Sequence, residues 1–111
     1  MLKLKTFFRN LSVAKKYKVY ITSNAQRDFG QIFSNIAADS VNNAKKFILE
    51  LEEKIYILDT LPERFAYIPE NTYFGTNYRH INHKKYRVVY RIDCKSVYIM
   101  RVFHGSKLLN L

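Results

Sequence analysis

With 111 residues, 48% of them apolar and 15% aromatic, the chain can close one compact core but has no room for a second domain. Its single cysteine, Cys94, excludes an intrachain disulfide and suits a reducing compartment, where small strand filler is its expected role. No apolar run reaches the ~18 to 20 residues of a membrane span, and the basic start lacks a signal-peptide core, so the expected location is the cytoplasm.

The net charge of +10 is unevenly placed. Residues 1–19 carry +6, residues 75–111 carry +7, and residues 20–74 carry −3. Such segregation points to an anionic partner, either nucleic acid or a strongly acidic protein, and charge alone does not choose between them.

Residues 1–16 read as a basic extension in which Leu4, Phe7, Phe8 and Leu11 recur at helical spacing, with 17–111 as the single folded domain. Lys18–Thr22 alternates, with Tyr17, Val19 and Ile21 on one side, and predicts a first strand. Ser23-Asn24-Ala25-Gln26 has the form of a capping box. Phe29, Ile32, Phe33 and Ile36 then draw one apolar face of a helix over about 24–38, weakened slightly by Gly30. Asp39-Ser40 caps a second helix striped by Ala44, Phe47, Ile48, Leu51, Ile55 and Leu58, with Glu50, Glu52 and Glu53 elsewhere on its surface, and Pro62 ends it. So short a link predicts an antiparallel helical hairpin.

From Pro62 to Asn77 the periodicity dissolves into a long ordered loop. Tyr78–Asn82, about Lys85–Asp93, and Ser96–His104 then alternate between short polar turns and predict an antiparallel three-stranded meander. The order β-α-α-β-β-β implies an α+β domain with the helices packed on one face of the sheet.

Three histidines raise the question of a metal. His80, His83 and His104 have no cysteine or carboxylate at ligand spacing, and Lys84, Lys85 and Arg87 would repel a cation, so neither metal nor cofactor is expected. There is no glycine-rich phosphate loop. What remains is a sheet carrying Arg87, Arg91, Arg101 and His104 without evident packing reason. Metal-independent phosphodiester cleavage needs an acid, a base and cations for the charge building on phosphorus. His104 could supply the proton transfer, and Arg79, Arg87 and Lys107 the cations. The plainer alternative is that these cations solvate an exposed sheet.

Tyr17-Lys18-Val19, Ala25 to Asp28, Ala44 to Ile48 with Leu51, and Leu61-Pro62 precede a run of more telling pieces. These are Arg79-His80-Ile81, Tyr86 to Ile92, Val97-Tyr98-Ile99 and Val102-Phe103-His104-Gly105. In this order and spacing the chain resembles the RelE/ParE superfamily of bacterial type II toxins over about residues 17–107. The resemblance implies a small cytoplasmic toxin, held inactive by an acidic antitoxin that wraps over its helices and sheet.

The superfamily implies two activities. RelE-like members are ribosome-dependent endoribonucleases that cut mRNA. Against their pattern Arg87 falls on the sheet arginine, Arg79 on a basic residue of the preceding strand, His104 on a histidine ending the last strand, and Lys107 near a further basic position. A second lysine of that pattern falls on Ile81 or Asn82, and no terminal tyrosine precedes Leu111. ParE-like members poison DNA gyrase without a nuclease site, and the long second helix and His104-Gly105 fit them equally. Arg79, Arg87, His104 and Lys107, taken as one phosphate-handling set, tilt the expectation to mRNA on the ribosome; gyrase inhibition is the alternative, and a non-toxic nucleic-acid-binding domain the third reading.

Overall fold

The computed structural model describes residues 16–107; the expected N-terminal helix lies outside the described residues. A strand, β1 (Lys18–Ile21), leads into two helices, α1 (Ser23–Ala37) and α2 (Val41–Tyr56). The second helix ends at Tyr56, short of the expected stop at Pro62, and a turn of 3-10 helix at Ile57–Asp59 follows it; a second such turn at Pro62–Arg64 and a four-residue helix, α3 (Asn71–Phe74), occupy the stretch expected to be irregular. Three strands follow, β2 (Arg79–His83), β3 (Tyr86–Asp93) and β4 (Ser96–His104).

The α+β expectation holds, with helices on one face of a four-stranded sheet. The meander β2-β3-β4 is antiparallel as predicted. The sheet order is β1-β4-β3-β2, and β1 lies parallel to β4, so the helical hairpin is the crossover that carries the chain from β1 across the sheet. The hairpin delivers the chain to β2 at the far edge, and the meander β2-β3-β4 then returns to place β4 parallel beside β1.

Local chemistry sets the boundaries. Thr22, rather than Ser23, caps α1: its hydroxyl accepts from the Ala25 N–H at 3.3 Å and donates to the Ile99 carbonyl at 2.7 Å. Capping is thereby coupled to the β1–β4 edge. Gln26 reaches the Ile21 carbonyl instead of closing a capping box. Ser40 caps α2 by accepting from Asn43 N–H. Cys94 is not strand filler; it is exposed in the β3–β4 turn at φ 55°, as Lys84 is at φ 53° in the β2–β3 turn.

The core lies between the helices and the sheet. Ala25 and Ile32 from α1 and Phe47, Leu51 and Ile55 from α2 pack on Ile81, Val88, Tyr90, Val97, Ile99 and Val102. Tyr90 is fully buried and its hydroxyl donates to the Pro62 carbonyl at 2.5 Å, which anchors the loop after α2 to the middle of the sheet. A smaller cluster on the other face joins Ile68 and Val89 with Tyr78 and Phe103.

One irregularity shapes everything downstream. Val89 faces Arg101 but Tyr90 faces Ile99, so Met100 is an extra residue in β4. A bulge advances the alternation by one, which is why Val97 and Ile99 point into the core and Val102, not Arg101, is the next to do so.

Candidate functional site

β1 ends opposite Ile99, leaving the outer edge of β4 beyond the bulge without a strand neighbour among the described residues. α1 runs beside that edge, and a groove of about 630 Å³ opens between them. Asp28, Gln31, Ile32 and Asn35 form its helical wall at one-face spacing; Tyr86 and the run Arg101–His104 form the strand side, with Ser106 and Lys107 beyond.

Asp28 holds the two walls together. Its Oδ2 accepts from Arg101 Nε at 2.8 Å and from the Val102 backbone N–H at 2.9 Å, and its Oδ1 accepts from Arg101 Nη2 at 3.2 Å. The carboxylate therefore satisfies an edge N–H that no strand of the described residues reaches, while the fork with Arg101 raises that guanidinium's pKa further.

His104 stands at the groove's end, edge-on to Tyr86 with ring centroids 5.6 Å apart. Its Nδ1 accepts the Ser106 backbone N–H at 3.2 Å, with Ser106 Oγ 2.7 Å away. A backbone N–H can only donate, so Nδ1 is bare and the neutral ring carries its proton on Nε2. In this tautomer His104 offers its Nε2–H as a hydrogen-bond donor, while Ser106 occupies the nitrogen that could take a proton.

Arg87 is 7% exposed. Its guanidinium makes a fork with Glu70, Nη1 donating to Oε1 at 3.0 Å and Nη2 to Oε2, and lies 4.9 Å from the Phe103 ring centroid. Nη2 also reaches the Lys107 carbonyl at 3.4 Å. Arg87 and His104 are close along the β3–β4 ladder but face opposite sides, Arg87 with Phe103 and His104 with Tyr86, and Lys107 meets Arg87 only through its backbone carbonyl.

Arg79 does not join them. It pairs with Tyr90 in register, whereas Asn82, three residues on and about 10 Å along the strand, pairs with Arg87, so Arg79 belongs to the opposite face. There its Nη1 donates to the Glu63 and Phe65 carbonyls at 2.8 and 2.6 Å, and its guanidinium covers Tyr67 at 4.0 Å.

The strand arginines expected to have no packing reason all have one. Arg87 meets Glu70, Arg101 meets Asp28, and Arg91 lies 4.3 Å over Tyr98 and 3.7 Å from Asp93. Sequence reasoning missed Asp28, Glu70 and Ser106 as members of the site; only the Asp28 position, on the same helical face as Ile32 and Asn35, left any trace in the pattern. Glu50 likewise meets His83 at 3.4 Å and Lys84 at 3.0 Å, and the Lys84 ammonium beside it holds the Glu50 carboxyl below its usual range.

His80 faces the Arg87 side of the sheet, paired with Val89 in register, with its Nδ1 buried and without a hydrogen-bond partner among the described residues. Burial, followed by the Arg87 charge, pushes its pKa below the ordinary 6.5. The fold thus favours neutral His80; the stability this contributes is complete above pH 6.5 and falls as the pH drops from there toward the lowered value, where the unfolded chain binds a proton the folded one refuses. Urea midpoints of the wild type and His80→Gln at pH 7.5 and 5.5 are expected to show a smaller acid loss in the variant. Identical losses would assign the acid sensitivity to other groups.

Residues 19–109 match the family described as the ParE toxin of the type II toxin-antitoxin system parDE. The chain belongs to the ParE toxin family. Its fold is similar to that of a chain in the chromosomal ParDE system from P. aeruginosa, with a TM-score of 0.64 at 15% identity over 81% of this chain and 97% of the other. It is also similar to a chain of the RelBE2 toxin-antitoxin complex from Mycobacterium tuberculosis, with a TM-score of 0.53 at 25% identity over 83% and 94%. No curated protein matches the sequence. This ParE-family toxin has no helix, among the described residues, that is long and apolar enough to cross a membrane.

Proposed function

We propose that this type II toxin acts by binding rather than by cutting RNA, as a ParE-like inhibitor of DNA gyrase. The observation that carries this reading is the Arg87–Glu70 fork. The mRNA-cleaving alternative asks Arg87 to stabilise charge on a scissile phosphate, yet the guanidinium is buried and already holds a carboxylate through both terminal nitrogens. Arg79, the second cation of that alternative, is fixed to backbone carbonyls on the opposite face.

One feature favours the alternative: His104, with its Nε2 proton, and the exposed Lys107 share the groove beside α1 and could act on a phosphodiester there. Expression without a partner, followed by two assays, separates the readings. Accumulated gyrase–DNA cleavage complexes with intact mRNA on ribosomes are expected. Cleaved ribosome-bound mRNA, lost in His104→Ala, would overturn the proposal. Unimpaired growth with soluble protein present would remove both and leave a non-toxic nucleic-acid-binding domain.

The partner that silences the toxin is, in this proposal, an acidic antitoxin. The structural relatives come from ParDE and RelBE2 toxin-antitoxin assemblies. The +10 charge would draw in an acidic segment, and exposed Leu49, Tyr56, Ile57 and Leu61 offer apolar surface for it to cover.

A further inference from the structure

On the face of the sheet turned away from α1 and α2, three side chains form a continuous stack. Tyr20 lies between core-facing Val19 and Ile21, Tyr98 between Val97 and Ile99, and Arg91 between Tyr90 and Ile92, so all three project to the opposite side. Tyr20 and Tyr98 stack with centroids 5.4 Å apart at 19°, and the Arg91 guanidinium lies 4.3 Å from the Tyr98 centroid. Because β4 runs between β1 and β3, Arg91 and Tyr20 sit on opposite sides of Tyr98.

The Ile68–Val89 cluster covers the β2–β3 part of this face and stops short of the stack. The stack ends on the edge strand at Tyr20, which is 45% exposed, and among the described residues nothing stacks on its outer side. Lys18, exposed on the same strand and face, lies about 7 Å from Tyr20 along β1. Lys95, also exposed, accepts the Lys18 backbone N–H at 3.0 Å through its backbone carbonyl, so the two lysines are neighbours at this end of the sheet. Asp93 lies beside the stack and pairs with Arg91 at 3.7 Å.

A flat ring with a free face, held rigid by a neighbouring ring and flanked by cations, suits a ligand that is planar and carries negative charge one residue away. We infer that this Arg91–Tyr98–Tyr20 platform binds single-stranded nucleic acid, one base continuing the stack on Tyr20 while Lys18 and Lys95 take the adjoining phosphates. Duplex fits poorly, because its bases are already stacked on one another. The inference is independent of the gyrase reading, since neither Arg87 nor the α1 groove takes part.

The test is fluorescence anisotropy of the full chain with a labelled oligothymidylate of about 12 nucleotides and with a hairpin duplex, as a function of salt. Tyr20→Ala is expected to weaken single-strand binding roughly tenfold, while Tyr20→Phe, which keeps the ring, binds like the wild type. Lys18→Ala is expected to lower the salt slope by about one. Wild-type affinity in Tyr20→Ala, or duplex bound as tightly as single strand, would overturn the inference and leave the platform to a protein partner. Circular dichroism of each variant establishes that it is folded, as the exposure of Tyr20 and Lys18 leads one to expect.

Discussion

Arg87→Ala is expected to lower the free energy of unfolding by about 3 to 5 kcal/mol, enough to abolish toxicity with no catalytic role involved. The pair it breaks is shielded: the side chains of Arg87 and Glu70 are 9% and 11% exposed, so solvent screens their attraction little. Truncating the arginine leaves a carboxylate in a nearly dry site and removes the guanidinium from the Phe103 ring. Replacing both partners with apolar residues, Arg87→Met with Glu70→Leu, is expected to recover most of the loss, because the buried carboxylate that has lost its guanidinium is then gone as well. Urea denaturation of the two single variants and the double variant gives the coupling directly. A loss below about 1 kcal/mol for Arg87→Ala would mean that the fork is open to water. Arg87 would then be available to phosphate, and mRNA cleavage would return as the stronger reading. Loss of toxicity in Arg87→Ala thus reports on catalysis only when stability is measured beside it.

Asp28→Ala is expected to cost about 2 to 3 kcal/mol and to loosen the groove beside α1. The carboxylate accepts three hydrogen bonds, two from Arg101 and one from the Val102 N–H, and its side chain is only 15% exposed. Asp28→Asn retains an acceptor for the Val102 amide but gives up the charge, and about half of that loss is expected. Hydrogen exchange at the Val102 amide supplies a second readout: protection should survive in the asparagine variant and disappear in the alanine variant. Fast exchange in the wild type would show that Asp28 does not hold the Val102 amide, and protection kept in the alanine variant would show that something else closes the β4 edge.

Much of the architecture was legible along the chain. The period-3.6 stripes of α1 and α2 and the alternation of β3 and β4 identify which residues are buried, because burial of one face is what such patterns record. Phe47, Leu51 and Ile55 are core for that reason, as are Val88 and Tyr90. The parallel pairing of β1 with β4 was not legible, since alternation within a strand carries no information about its neighbour. The bulge at Met100 was equally silent, and it reverses which of Arg101 and Val102 faces the core.

The site was read less well than the fold. His104 and Lys107 share the groove beside α1, but Arg87 faces the other side of the sheet from His104, and Arg79, only eight positions before Arg87, is also on the face opposite Arg87 because of the β2–β3 register. The charge asymmetry misled in an instructive way. Acids of the central segment, Asp28, Glu50 and Glu70, return in space to Arg101, Lys84 and Arg87 of the C-terminal strands. A separation that read as preparation for a foreign anion is in large part the chain's own long-range ion pairing.

The sequence by itself determined the two helices, the three-stranded meander, the sides they bury and the family likeness, because each depends on residues a few positions apart. The tertiary structure alone decided which cations remain free, through pairings such as Asp28 with Arg101, 73 positions apart. A charge's availability depends on what lies beside it in space, and no local pattern encodes that neighbour.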